Sequence, residues 1–234
     1  MVSSHSAAAS PFSEVSGPRR TVLADEVYEI LKSKLMDNLV EPGGRLSIDG
    51  LSRDLKVSPT PIREALARLE SDGLVVKKPH HGYTAASLLD AASFEELFKM
   101  RLLLEPACAS WAALAARRDQ VSEMSELISQ MQSHGAGDDY ESYKSFAAKD
   151  AAFHLALAVA TGVSLMVETL ERLRPHAQLY RLYYTVGIAD ETVQEHQRVL
   201  DAVARRDETG AAQAMSAHLR ASRARLAGAL GPQA

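Results

Sequence analysis

Two short helices and a hairpin follow one another between residues 51 and 84, and this order limits the fold more than any other feature of the sequence. A short amphipathic helix at 51–55 precedes a tight turn at 56–58. A second helix is predicted from Pro59 to Asp72, with one apolar stripe. The stripe consists of Ile62, Ala65, Leu66 and Leu69. We expect the opposite face, which carries Thr60 and Arg63, to be exposed.

The start of the second helix and the hairpin that follows it are also marked in the sequence. Ser58 is a residue type that caps helices, and prolines are tolerated in a first turn, where amide hydrogens have no intrahelical partner. After Gly73, two strands are predicted at 74–78 and 83–84. This order predicts a winged helix-turn-helix, whose second helix enters the major groove of DNA. The alternative is a small structural subdomain that never binds DNA.

Three runs of residues make the first interpretation more specific. They are EPGGRL at 41–46, VSPTPIREAL at 57–66 and LESDGLV at 69–75. Over about 21–84 the chain resembles the N-terminal domain of GntR-superfamily transcription regulators. The resemblance implies that Ser58, Thr60 and Arg63 contact DNA and that His81 and Gly82 lie at the wing tip. Arg63 has the reach for a guanine or a phosphate.

The charge of the chain gives only partial support to DNA binding. The chain has 26 Lys plus Arg and 30 Asp plus Glu, a net charge of −4, which excludes a globally basic nucleic-acid coat. Binding would therefore depend on the local placement of basic side chains and would be sensitive to salt. The candidates are Arg53, Lys56, Arg63, Arg68, Lys77 and Lys78.

Size and composition predict two domains and a cytoplasmic protein. The 234 residues are 46% hydrophobic, enough for two cores. The single cysteine, Cys108, excludes an intrachain disulfide, suits a reducing compartment and is interpreted as buried filler. No apolar run approaches the roughly 18 residues of a membrane span. We expect a disordered tail at 1–20 that is not a secretory signal, and association with the nucleoid when the protein is bound to an operator.

The second half of the chain lacks strand signals and alternates alanine-rich helices with short breaks. About six helices are predicted, in an antiparallel bundle. The fold class is therefore mainly α. A winged helix-turn-helix at 21–84 is joined by a linker at 85–90 to an all-α helical domain at 91–230.

Four polar side chains are predicted to face the interior of this bundle. Asp150 and His154 are four residues apart on one helix face. His196 and His218 each lie on the apolar side of their helix. Each histidine alone is consistent with a hydrogen-bonded core residue, but unpaired buried polar groups are costly, so we expect a shared partner. Imidazoles and one carboxylate suit a divalent transition metal such as zinc, nickel or manganese.

The runs DAAFH at 150–154, EHQ at 195–197 and HLR at 218–220 make this half resemble the FCD effector domain of the FadR subgroup. The resemblance implies that Asp150, His154, His196 and His218 ligate one metal, with other positions open to an oxygen-bearing effector. Arg101 matches the family's pocket arginine, which implies a bidentate clamp on a carboxylate. A surface ion pair with Glu105 is the alternative. His176 and Arg181 are further candidates for effector contacts.

Together these patterns predict a ligand-responsive transcription regulator rather than an enzyme. It would be a homodimer that represses from a pseudo-palindromic operator and responds to a small organic acid. One alternative is a metal-dependent hydrolase that uses the Asp/His site, with Glu195 as general base. Against it, a residue adjacent to His196 on the same helix points about 100° away. The other alternative is a sensor of the metal ion itself.

Overall fold

The computed structural model describes residues 19–79, 82–133, 140–173, 179 and 189–228. Its N-terminal part, residues 19–85, is called the head here. The head contains α1 (Arg19–Met36), β1 (Arg45–Leu46), α2 (Ile48–Leu55), α3 (Pro59–Ser71), β2 (Val75–Lys78) and β3 (Gly82–Ala85). The strands form an antiparallel sheet in the order β1-β3-β2, so the predicted hairpin is confirmed and gains a third strand. Residues 1–18 of the predicted tail lie outside the described residues, and Arg19 and Arg20 begin α1.

The turn between α2 and α3 lies where the sequence predicts it. Lys56 follows α2 in a left-handed conformation, with φ 56°, and its amide donates to the Ser52 carbonyl. Ser58 takes the N-cap position of α3, but its side chain makes no capping hydrogen bond, so that part of the prediction is wrong. The physical reason is local. A capping side chain bonds the second or third amide of the helix, and the third residue, Pro61, has no amide hydrogen.

The apolar stripe of α3 is buried as predicted and packs against α1. Two polar contacts hold the same helices together at the surface. The Tyr28 hydroxyl donates to Asp72 Oδ2 at 2.5 Å. Arg68 forms an ion pair with Asp25, and its guanidinium lies 4.1 Å from the centroid of the Tyr28 ring. Arg68, one of the basic candidates for DNA binding, is therefore engaged within the head.

The bundle, residues 91–228, contains six helices within the described part of the chain. They are α4 (Ala91–Ala115), α5 (Arg118–Ser133), α6 (Tyr140–Ala160), α7 (Ser164–Leu173), α8 (Ala189–Ala204) and α9 (Glu208–Ala227). Asp90 caps α4 by accepting from the Ser93 amide at 2.7 Å, and Asp207 caps α9 by accepting from the Gly210 amide at 2.8 Å. α4 packs against α6, α7, α8 and α9. Among the described helices, none combines the length and hydropathy needed to cross a membrane.

The head and the bundle are in contact. One continuous buried cluster includes head residues such as Leu31 and Leu66 and bundle residues such as Met124 and Leu219. At the surface, Lys144 Nζ on α6 lies 2.5 Å from Glu29 Oε2 on α1. One helix that contacts the head, α6, therefore also carries Asp150 and His154.

Candidate functional site

Three histidines from different helices meet inside the bundle. His154 lies on α6, His196 on α8 and His218 on α9, and all three side chains are buried. Each is brought inward by the apolar face of its helix, as predicted: for example, Phe153 and Leu157 flank His154, and Val193 and Leu200 lie one turn on either side of His196. The His196 ring stacks on Phe153, with centroids 4.3 Å apart.

The ring nitrogens of these histidines converge on one point. One nitrogen from each of the three rings lies within 4.8 Å of the others. The Nε2 atoms of His154 and His196 are 3.2 Å apart. Asp150 lies at the edge of this group, with Oδ1 at 3.4 Å from His196 Nε2 and 4.0 Å from His154 Nε2.

Two of these separations are those expected between two ligands of one divalent ion. Two nitrogen ligands about 2.1 Å from one ion lie roughly 3.0–3.4 Å apart at tetrahedral or octahedral angles. The separations of 3.2 Å between His154 and His196 and 3.4 Å between His196 and Asp150 fall in this range. Burial lowers the pKa of His154 to about 4, against the opposing effect of the Glu105 carboxylate, so its imidazole is neutral at pH 7 and offers a lone pair.

A carboxylate lies behind His154, on the side away from the other histidines. Glu105 Oε2 on α4 is 2.5 Å from His154 Nδ1, and Arg101 Nε donates to Glu105 Oε1 at 2.5 Å. Burial raises the pKa of Glu105, but the adjacent Arg101 and His154 outweigh it and hold the pKa well below its usual range. The Arg101 side chain is 1% exposed, so the alternative of a surface ion pair is wrong: the pair is buried. An effector clamp at Arg101 stays a prediction.

A second carboxylate lies behind His218 in the same way. Glu195 Oε2 on α8 is 2.8 Å from His218 Nδ1. Arg225 on α9 donates to both oxygens of Glu195, at 2.7 and 2.8 Å. Burial raises the pKa of Glu195, but hydrogen bonds from Arg225 and His218 lower it to about 2. Glu195, the general base of the hydrolase alternative, is thus bonded to a histidine and an arginine.

The predicted DNA contacts lie on the head. Arg63 is exposed on α3 and makes no hydrogen bond or ion pair with any residue that the structure describes. Ser58 is exposed at the start of that helix, and Thr60 is half-buried. Arg53 is exposed on α2, where its Nε donates to the Asp49 carbonyl at 3.3 Å.

At the wing, Gly82 is exposed at the start of β3 with φ +79°, a conformation that favours glycine. His81, His176 and Arg181 lie outside the described residues. Their predicted roles, at the wing tip and in effector binding, stay predictions.

Two family models match the chain. One, described as "Bacterial regulatory proteins, gntR family", matches residues 23–84, and the other, the FCD domain, matches residues 96–221. The chain belongs to the GntR family and carries an FCD domain. The predicted family, the predicted fold class of a winged helix-turn-helix with a helical domain, and the class of DNA-binding regulator are confirmed, while the predicted domain bounds stay predictions. The FadR subgroup stays a prediction.

Individual GntR-family relatives resemble the chain over most of their length. LutR, an HTH-type transcriptional regulator of Bacillus subtilis, is 29% identical over an alignment 203 residues long, which covers 77% of this chain and 90% of LutR. The Uxu operon regulator of Haemophilus influenzae is 29% identical over an alignment 219 residues long, which covers 82% of this chain and 77% of the regulator. Both relatives are regulators, which agrees with the two family models, and the prediction of a regulator rather than an enzyme is confirmed.

A solved structure of Escherichia coli McbR/YncC has the same fold. It aligns with a TM-score of 0.67 and 24% identity, over 88% of this chain and 97% of McbR/YncC.

Proposed function

We propose that this GntR-family regulator binds one divalent transition metal through His154, His196, His218 and Asp150. The observation that carries the proposal is the convergence of three buried imidazoles, with 3.2 Å between two of their nitrogens. Nδ1 of His154 and of His218 faces a carboxylate, so the other ring nitrogen is the one that can bind an ion. Zinc, nickel and manganese all suit this donor set.

We further propose that the site senses a small organic acid. A bound ion would supply open coordination positions for a carboxylate oxygen. The protein supplies three imidazoles, the Asp150 carboxylate and an enclosure in which electrostatic attraction is stronger than in water. The predicted clamp of Arg101 and the predicted contacts of His176 and Arg181 belong to this proposal.

A change in the bundle caused by acid binding would be transmitted to the head through α6. This helix holds two of the proposed ligands and also contacts α1 through the ion pair between Lys144 and Glu29. An acid that prefers one arrangement of the bundle shifts the population of head positions. A coupling of about 1–3 kcal/mol would change operator affinity roughly 5- to 150-fold. We propose that the acid weakens operator binding and so relieves repression.

A homodimer on a pseudo-palindromic operator, in the cytoplasm, completes the proposal, because helix-turn-helix dimers read two half-sites one helical turn apart. The outer face of α4 supports self-association. It is apolar and exposed on the side opposite to Arg101 and Glu105, and Leu103 on this face is 70% exposed. The exposed residues are Met100, Leu103, Trp111 and Leu114.

The test begins with selection of duplexes from randomised DNA by the zinc-loaded protein. We expect a pseudo-palindromic sequence to be enriched. Fluorescence anisotropy on that duplex then measures affinity with zinc alone and with each of a panel of small carboxylic acids. The expected result is an acid that weakens binding while zinc stays bound. A response to free zinc alone would replace the proposal with a metal sensor. Absence of any sequence preference would contradict operator binding by the head.

A further inference from the structure

Two of the three histidines share a feature that the proposed metal site does not require. His154 and His218 each direct Nδ1 to a buried carboxylate oxygen, at 2.5 Å from Glu105 and 2.8 Å from Glu195. The carboxylates come from different helices, α4 and α8. Nδ1 of two of the rings therefore lies beside a buried carboxylate, on two sides of one cluster.

Each carboxylate is held in turn by an arginine. Arg101 reaches both oxygens of Glu105, with Nε at 2.5 Å and Nη2 at 3.3 Å. Arg225 reaches both oxygens of Glu195, at 2.7 and 2.8 Å. Two-point contacts of this kind fix the plane of the carboxylate as well as its position. Each chain of contacts runs from arginine to glutamate to histidine.

Stability alone does not account for these contacts. Buried ion pairs are often no more stabilising than apolar residues of the same volume, because both charges lose their hydration. A carboxylate behind a histidine has a specific chemical effect instead. It accepts the Nδ1 hydrogen, which selects one tautomer and leaves the Nε2 lone pair for a metal, and it makes the imidazole a better donor.

We propose that Glu105 and Glu195 are positioning residues of the metal site, which fix the rings of His154 and His218 with Nε2 toward the ion. Arg101 and Arg225 hold these carboxylates in place. The proposal rests on the proposed metal binding and adds four residues that would not contact the ion themselves. It also gives Arg101 a role that does not require contact with an effector.

The test compares three substitutions of one type. Glu105→Gln and Glu195→Gln keep the size of the side chain but remove its charge. An amide can also turn its NH₂ group toward Nδ1, which stabilises the tautomer with hydrogen on Nε2, and that nitrogen then cannot bind a metal. Glu95→Gln is the matched control. Glu95 on α4 makes three hydrogen bonds with Arg223 on α9, but this pair is more exposed and is not bonded to any of the three histidines.

Zinc affinity of the full chain is measured by competition with a chromophoric chelator. We expect Glu105→Gln and Glu195→Gln to bind zinc about 10- to 100-fold more weakly than the unsubstituted chain, as is usual when an outer-shell partner is lost. Glu95→Gln should be within about twofold, since a partly exposed pair away from the site contributes little. Replacement of zinc by cobalt adds a spectroscopic readout: the visible bands should shift in the first two variants and not in the control.

Circular dichroism of the metal-free proteins shows whether each variant is folded. If a glutamine variant does not fold, Arg225→Lys, which keeps the charge but loses the two-point contact with Glu195, should weaken zinc binding in the same direction.

The outcomes separate this inference from the proposed function. If the unsubstituted chain takes up no zinc, nickel or manganese, the proposed metal site fails. If it binds zinc and the folded variants bind with the same affinity and cobalt spectrum as the control, the positioning role is overturned while the metal site stands.

Discussion

The head and the bundle treat their charged side chains in opposite ways. In the head, Arg63 is exposed and has no ion-pair partner among the described residues. In the bundle, the Arg101 side chain is 1% exposed and the Arg225 side chain is 20% exposed. Each of these arginines makes two hydrogen bonds with a glutamate. The difference follows from the size of the expected ligand.

A DNA backbone is too large to enter the protein, so groups that meet it must stay at the surface in water. Salt weakens electrostatic attraction at the surface, and specific recognition there needs side chains that extend from the protein to the bases. A small ion can instead be surrounded. Its ligands leave water before it arrives, and they stay in place only if other buried groups orient them. We therefore expect that a substitution in the bundle can lower metal affinity without a change in operator affinity, and that a substitution in the head can do the reverse.

The largest expected effect is at the proposed metal site. His196→Gln removes a fully buried side chain, a ligand of the proposed ion, whose Nε2 is 3.2 Å from that of His154. We expect zinc affinity to fall more than about 100-fold, beyond the loss typical of an outer-shell partner. Elemental analysis of dialysed protein checks this. Affinity for the selected operator without acid should be retained, and a variant with full zinc content would contradict the assignment.

Removal of the metal is expected to have the next largest effect. Zinc at about 100 times its Kd stabilises the form that binds it by about 2.7 kcal/mol. For a chain of this size, that raises Tm by roughly 5–10 °C. Thermal unfolding of the bundle, followed by circular dichroism with zinc or with a chelator, measures the shift. His196→Gln serves as the control and should melt at the same temperature in both conditions. An equal shift in that variant would place the stabilising ion elsewhere.

The corresponding change in the head is Arg63→Ala. We expect a loss of about 1–3 kcal/mol in binding to the selected operator if Arg63 reads a base. Zinc affinity should not change, because the residue is outside the bundle. Lys99→Ala is a suitable control, since Lys99 is an exposed cation on α4. Equal operator affinity of the two variants would remove Arg63 from the DNA interface.

The smallest expected effect concerns the contact between the head and the bundle. Lys144→Ala breaks an ion pair with Glu29 whose side chains are 36% and 47% exposed, so it should cost only about 0.2–1 kcal/mol of unfolding free energy. The acid-induced change in operator affinity should nevertheless decrease. The control is Arg117→Ala, which breaks an exposed ion pair with Asp119, a residue that also belongs to the bundle. A full acid response in Lys144→Ala would show that coupling takes another route.

Much of the fold could be predicted because its signals are local. The buried stripe of α3 repeats at helical spacing, and Lys56 and Gly73 mark the ends of helices. The failures were also local. Ser58 lost one of its two possible capping partners because Pro61 has no amide hydrogen, and β1 is only two residues long, too short for an alternating pattern.

The candidate metal site was predictable to the extent that its residues follow helical spacing. Asp150 and His154 are four apart, and the apolar neighbours of His196 and His218 indicated their direction. The carboxylates behind the histidines were missed. Arg101 and Glu105 had the spacing of an ion pair, but local spacing does not reveal that the pair is buried. Glu195 and Arg225 are 30 residues apart on different helices, and no local pattern joins them.

The most direct test of the metal centre is anomalous diffraction from crystals of the full chain grown with zinc, recorded on both sides of the zinc absorption edge. We expect one strong peak about 2.0–2.2 Å from a ring nitrogen of each of His154, His196 and His218. An anomalous map without a peak among these three rings, or with zinc only at surface residues, would contradict the proposed site.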